Sequence, residues 1–107
     1  MAYDEALAQQ IRELVSDATE KKMFGGLAFL INGNMAIAAS GQGGILVRVD
    51  PDQSEELVAT TPAEPMEMRG RQMAGWLRVD TADVADDDAL REWVERGETY
   101  AGSLPPK

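Results

Sequence analysis

Between residues 22 and 49 the chain is cut into short strand-favouring runs, separated by turn residues at close spacing, and this pattern specifies a β-meander. The runs are 23–31, 35–40 and 45–49, and the breaks are Asn32-Gly33 and Gly41-Gln42-Gly43-Gly44. Asn-Gly suits a two-residue type I′ turn, whose central residues both need positive φ; such a turn sets Ile31 opposite Asn34 and Phe29 opposite Ala36. Gly25-Gly26, inside the first run, marks a bulge or a place where another backbone comes close. Both faces of the first hairpin, Leu27/Phe29/Ile31 and Ala28/Leu30, are apolar, so the alternation leaves open which of them meets solvent.

Helical patterns flank this meander. Asp4 can cap a helix that starts at Glu5 and runs to about Asp17, with Leu7, Ile11, Leu14, Val15 and Ala18 along one stripe. Asp50-Pro51-Asp52-Gln53 reads as a second helix start: Asp50 is the cap, Pro51 takes the first helical position, and Gln53 reaches back as in a capping box, giving a short helix over 51–59. Pro62 and Pro65 end it, and two brief strands follow at 66–69 and 75–79, joined by a turn at Gly70-Arg71. A third helix opens at Asp86-Asp87-Asp88, carries Leu90, Trp93, Val94, Gly97, Ala101 and Leu104 on one stripe, and stops at Pro105-Pro106. The expected order is αβββαββα, an α+β two-layer fold with a five-stranded, mainly antiparallel sheet and helices on one face.

Composition narrows the chemistry more than the fold. The 107 residues include neither cysteine nor histidine. This excludes zinc fingers, CxxC redox centres, Ser/His and Cys/His nucleophile systems and histidine pH switches. With 44% hydrophobic residues the chain can build a modest core, and it is expected to form one domain over 1–107. The acidic start Met1-Ala2-Tyr3-Asp4-Glu5 is unlike a secretory signal, and the apolar runs fall far short of the ~20 residues of a spanning helix, so no membrane association and a cytoplasmic location are expected.

The candidate motifs each have a structural explanation. Asp86-Asp87-Asp88 complements a helix dipole, and an EF-hand loop would need a central glycine and terminal glutamate that are absent. Gly41 to Gly44 lies between two strands, whereas phosphate cradles lead into a helix N-terminus. Lys21 and Lys22 could serve as an amine base only if buried, and a solvated strand entrance suits them better. Trp76 shares a strand face with Arg78 and is the aromatic residue best placed for exposure.

Charge distribution is more informative. The net charge of -9 is unevenly spread: residues 1–19 contribute -3 and residues 80–107 contribute -5. The middle, with Lys21, Lys22, Arg48, Arg69, Arg71 and Arg78 against seven acids, contributes only -1. If the terminal helices cover one sheet face, these cations gather on the other face or along its rim, giving a locally basic surface. The overall charge opposes direct nucleic-acid binding, because phosphate neutralisation supplies most non-specific affinity.

The run Lys21-Lys22-Met23-Phe24-Gly25-Gly26, then Phe29, Asn32-Gly33-Asn34-Met35, Leu46-Val47-Arg48-Val49, Pro65-Met66, Gly70-Arg71-Gln72-Met73-Ala74-Gly75-Trp76 and Trp93-Val94, resembles the TfoX N-terminal domain of bacterial competence regulators. The likeness covers nearly the whole chain and implies a five-stranded antiparallel sheet in a two-layer, secretion-chaperone-like fold. It also implies a regulatory role without catalysis or cofactor. In two-domain competence regulators this domain precedes a helical C-terminal domain and the protein co-activates transcription beside a DNA-binding regulator. The present chain is expected to carry the N-terminal domain alone. A protein partner or a homodimer is therefore expected, with Lys21, Lys22, Phe24, Arg48, Arg69, Arg71 and Trp76 as interaction residues. The alternative is a groove in which Lys22, Arg48, Arg69 or Arg71 holds a small carboxylate or phosphate.

Overall fold

Asp4 starts the first helix, as its side chain predicts. Its backbone is extended and Oδ1 accepts the Leu7 amide at 3.1 Å, so α1, Glu5–Leu14, begins with one otherwise orphaned donor satisfied. The helix ends before the expected Asp17: Val15 is extended, and Leu14, Val15 and Ala18 reach the core as partly buried residues. The computed structural model describes residues 4–15, 18–23, 25–41, 43–68 and 70–105, with the backbone alone at 23, 68 and 72–74.

Among the described residues the sheet has six strands, not five: β1 Thr19–Met23, β2 Gly26–Ile31, β3 Asn34–Ala39, β4 Ile45–Arg48, β5 Glu64–Met68 and β6 Arg71–Val79. Their order is β1-β2-β3-β4-β6-β5 and every pairing is antiparallel. The expected order αβββαββα therefore becomes αββββαββα. The run over 23–31 divides because Gly25, at φ +75°, turns the chain into a hairpin that pairs Met23 with Gly26 and Lys22 with Leu27. β1 gave no apolar alternation because it is an edge strand with exposed Thr19, Glu20, Lys21 and Lys22. The close approach expected at this glycine pair does occur: a Cβ on Gly26 would run into the Ala39 carbonyl oxygen.

Asn32 (φ 53°) and Gly33 (φ 83°) form the predicted turn, and Ile31 faces Asn34. The register shifts two residues later. Leu30 pairs with Met35 but Phe29 pairs with Ile37, so the expected Phe29/Ala36 partnership is replaced by a bulge at Ala36. The bulge lets Ala36 and Ile37, adjacent in sequence, both join the helix-side core.

Pro51–Gln53 forms a 3₁₀ turn capped by Asp50, whose Oδ1 accepts the Asp52 amide at 2.9 Å, and α2 follows as Ser54–Thr60. Among the described residues the Gln53 side chain makes no hydrogen bond back to Asp50, so the expected capping box is not formed; the Asp52 and Gln53 amides are satisfied by the Asp50 side chain and carbonyl. α3, Asp87–Ser103, is capped by Asp86, which accepts the Asp88 amide at 3.2 Å. The buried residues of α1 and α3 (Leu7, Ala8, Ile11, Leu90, Trp93, Val94 and Ala101) and the half-buried Leu57 and Val58 of α2 pack with Phe29, Ile37, Ile45, Val47, Leu77 and Val79. Each large side chain so buried contributes about 1.5–3 kcal/mol. No helical residue joins the second cluster, Ala28, Met35, Ala38 and Leu46, on the opposite sheet face. The helices thus line one face, as expected, and Leu27/Phe29 rather than Ala28/Leu30 point to them.

α1 is tied to the edge strand by one bidentate pair: Arg12 Nε donates to Glu20 Oε2 at 2.5 Å and Nη2 to Oε1 at 2.8 Å. The hydrogen bond from Arg12 holds the Glu20 carboxyl below its ordinary value. A depressed folded-state value means the pair's small, solvent-screened contribution is present above the unfolded value and is lost as pH falls through the folded one. Glu20→Gln should therefore lower the thermal midpoint slightly at neutral pH, and its difference from the parent should vanish in acid; melting curves across that range check it.

Candidate functional site

Register places the sheet's cations. One row crosses the face opposite the helices through Lys21, Ala28, Ala38, Leu46, Arg78 and Glu64, each directly across from the next. Arg48 is two residues beyond Leu46 on the same face and pairs with Trp76. Arg71, opposite Met68, shares the β5–β6 hairpin face with Met66, which packs against the second cluster together with Leu30 and Trp76. Lys22 pairs with Leu27 and so belongs to the helix-side face at the exposed edge. Phe24 and Arg69 lie outside the described residues.

Of the predicted residues, Arg48 and Trp76 are brought together. The Arg48 guanidinium carbon lies 5.1 Å from the Trp76 ring centroid and 5.6 Å from that of Tyr100, so one planar cation joins β4, β6 and the last turns of α3. Tyr100 was absent from the sequence-derived set. The available signal was its place seven residues after Trp93, beside the buried stripe of α3. Lys21, Lys22 and Arg71 are not gathered around Arg48: Lys21 and Arg48 are separated by two strands, Lys22 faces the other way, and Arg71 begins the distal part of β6. The alternative, in which Lys22, Arg48, Arg69 or Arg71 holds a small carboxylate or phosphate, therefore rests on one such cation and not on a cluster of them.

Replacing Arg48 tests the clamp. Two ring contacts on a half-buried guanidinium support an expected loss of about 1–2 kcal/mol for Arg48→Ala. Arg48→Lys keeps the charge but not the planar stack, and should recover only part of it; urea midpoints of the two variants check this.

Two concavities flank this clamp. A groove of about 520 Å³ runs between the start of the 3₁₀ turn and α3, with the carboxylates of Asp50, Glu92 and Glu95, the Arg96 guanidinium and Tyr100 in its walls. Three of its polar groups are engaged within the domain: Asp50 caps the turn, Arg96 lies 4.6 Å from the Trp93 ring, and the Ser103 hydroxyl donates to the Tyr100 carbonyl. Among the described residues no three acidic side chains come close enough to hold a metal ion. A smaller depression of about 100 Å³ lies on the helix-free sheet face, floored by Ala28 and Ala38 and bordered by Met35, Leu46, Met66 and Arg78. Beside it the Ser40 amide donates to Gly44 O and the Gly43 amide to Ser40 O, as in the expected hairpin loop, while Gln42 lies outside the described residues.

β6 is bent next to this surface. Pairing with β5 jumps from Pro65/Leu77 to Met66/Met73, and Gly75, at φ +85°, donates its amide to Ser54 Oγ at 2.6 Å and accepts the Val49 amide at 2.7 Å. The bend brings Met66 over the second cluster and narrows the face to a depression.

These features define a small α+β domain whose antiparallel sheet is closed by helices on one side and bears cations around an apolar patch on the other. The model of the TfoX N-terminal domain matches residues 9–101, and the chain belongs to that family. No curated protein matches it. Among the described residues no helix is long and apolar enough to cross a membrane.

Proposed function

We propose that this TfoX N-terminal domain is a non-catalytic regulatory module that binds a protein partner through the helix-free face of its sheet. One observation carries the reading. On an acidic chain of net charge -9, this face holds Lys21, Arg71 and Arg78, with Arg48 at its rim stacked on Trp76 and Tyr100, and with Glu64 and Glu67 as the acids beside them. The local excess of positive charge surrounds Ala28, Ala38, Leu46 and Met66, and an acidic partner surface with apolar contacts complements it.

The other surfaces are less suited. The β1 edge bears Lys21 and Lys22, and the β5 edge bears Pro65, both devices that discourage strand addition. Face-to-face pairing of two copies would set the same four cations against themselves, so a different polypeptide fits better than a homodimer. The resemblance to competence regulators suggests that the partner belongs to transcriptional control, with the domain in a cytoplasmic role and DNA contacted by the partner.

Carbodiimide coupling, which joins an amine directly to a carboxylate, tests the proposal in extracts of the source cells. The expected product links Lys21 to an acidic stretch of another protein, and it is lost on Arg48→Glu or Arg78→Glu. Products confined to this chain's own carboxylates, or a purified domain that sediments as a stable dimer through this face, would overturn it.

A further inference from the structure

The depression on the helix-free face has a shape that selects among acidic partners. At its floor Ala28 sits directly opposite Ala38, two residues of low strand propensity paired in the middle of a six-stranded sheet. Neither has a side chain beyond Cβ, while Met35, Leu46 and Met66 stand around them, and the result is a hollow of about 100 Å³. An apolar cavity of about 150 Å³ accepts a benzene ring, so this one suits a branched aliphatic side chain better than a large aromatic. Arg78 also lines it. Glu64 lies across from Arg78 in the sheet and Glu67 borders the same hollow, yet among the described residues Arg78 has no carboxylate within ion-pair distance.

We infer that this hollow is an anchor pocket for a partner segment in which a leucine-like side chain stands next to a carboxylate, the aliphatic group seating on Ala28 and Ala38 and the carboxylate meeting Arg78. The inference rests on the proposed function and specifies its partner. The apolar group loses water against a preformed concave floor. Arg78 supplies a planar fork for the acid, and Lys21, at the other end of the same row, reads a second acid further along the segment.

Nuclear magnetic resonance titration of the intact chain with the peptide acetyl-Glu-Leu-Asp-amide tests it. A short segment should bind in the millimolar range and shift the signals of Ala28, Ala38 and Met66. Leu→Ser in the peptide, Glu→Gln with Asp→Asn in the peptide, and Arg78→Gln in the protein should each weaken binding about tenfold. Ala38→Leu, which fills the hollow, should abolish it, and Arg78→Gln keeps the test decisive if Ala38→Leu does not fold. Equal binding of the serine or amide peptides, shifts confined to the α3 groove, or no binding at all would overturn the inference. Binding of 4-methylpentanoate as tight as that of the peptide would also overturn it, by making the hollow a small-carboxylate site. Lys21 cross-links that persist without leucine-dependent binding would refute the anchor alone, whereas failure of the unsubstituted chain to form those cross-links refutes the face as the interface.

Discussion

Gly97→Leu is expected to lower the thermal midpoint by about 10–20 °C, the shift that a loss of 2–3 kcal/mol produces in a domain of this size. Gly97 lies where α3 crosses the sheet, and a Cβ there would run into the Ala36 carbonyl oxygen, with Val47 Cγ1 at 3.5 Å. The obstruction is backbone, fixed by the bulge at Ala36, so it cannot swing aside as a flexible side chain would. Seating a larger residue lifts α3 and uncovers Leu90, Trp93, Val94 and Ala101, the residues it buries. Gly97→Ala separates packing from helix propensity. In an exposed helix interior alanine gains up to about 1 kcal/mol over glycine, but at this position the steric conflict should exceed that gain. Gly102 is the control within the same helix: nothing lies within 4 Å of its missing Cβ, so Gly102→Ala should be neutral or stabilising. Thermal melts of the three variants decide the matter; a stabilised Gly97→Ala would show that the contact is slack.

Phe29→Ala should cost about 3–5 kcal/mol, the range for deleting a fully buried aromatic. Phe29 has no exposed surface and, among the described residues, is the largest of the fully buried side chains; it stands opposite Ile37 within the helix-side core. Small domains have only about 5–15 kcal/mol in total, so the variant should keep little of its cooperative transition. Leu30, the next residue, points to the other face and is half-buried, and Leu30→Ala should cost well under half as much. Urea unfolding of the pair measures the difference between the two sheet faces directly, provided the slope is unchanged. Equal losses would mean that the second cluster is as thoroughly packed as the first.

The contrast between Phe29 and Leu30 shows where sequence reading stopped. Both faces of β2 are apolar, and periodicity of two separates them without saying which one the helices cover. β1 escaped notice for the opposite reason: Thr19, Glu20, Lys21 and Lys22 have the polarity of an edge strand, and hydrophobic alternation cannot detect a strand that buries so little. At the candidate surface, Lys21, Arg48, Arg71 and Trp76 were named in advance and do share the helix-free side of the sheet and its β5–β6 hairpin, whereas Lys22 does not. Arg78 was recognised as a cation beside Trp76 but not as part of a hollow, because the floor of that hollow is made by alanines whose pairing depends on a bulge.

The sequence by itself determined the features whose causes act within a few residues: the aspartate caps of α1, the 3₁₀ turn and α3, the Asn32-Gly33 turn, and the absence of imidazole and thiol chemistry. Only the tertiary structure decided which sheet face the helices close, the bulge that places Ala36 beneath Gly97, the clamp of Arg48 with Trp76 and Tyr100, and the hollow beside Arg78. Those features arise from contacts between segments far apart in the chain. Their geometry is set by strand pairing and by how closely helix and sheet can approach, and neither quantity is carried by any one stretch of sequence.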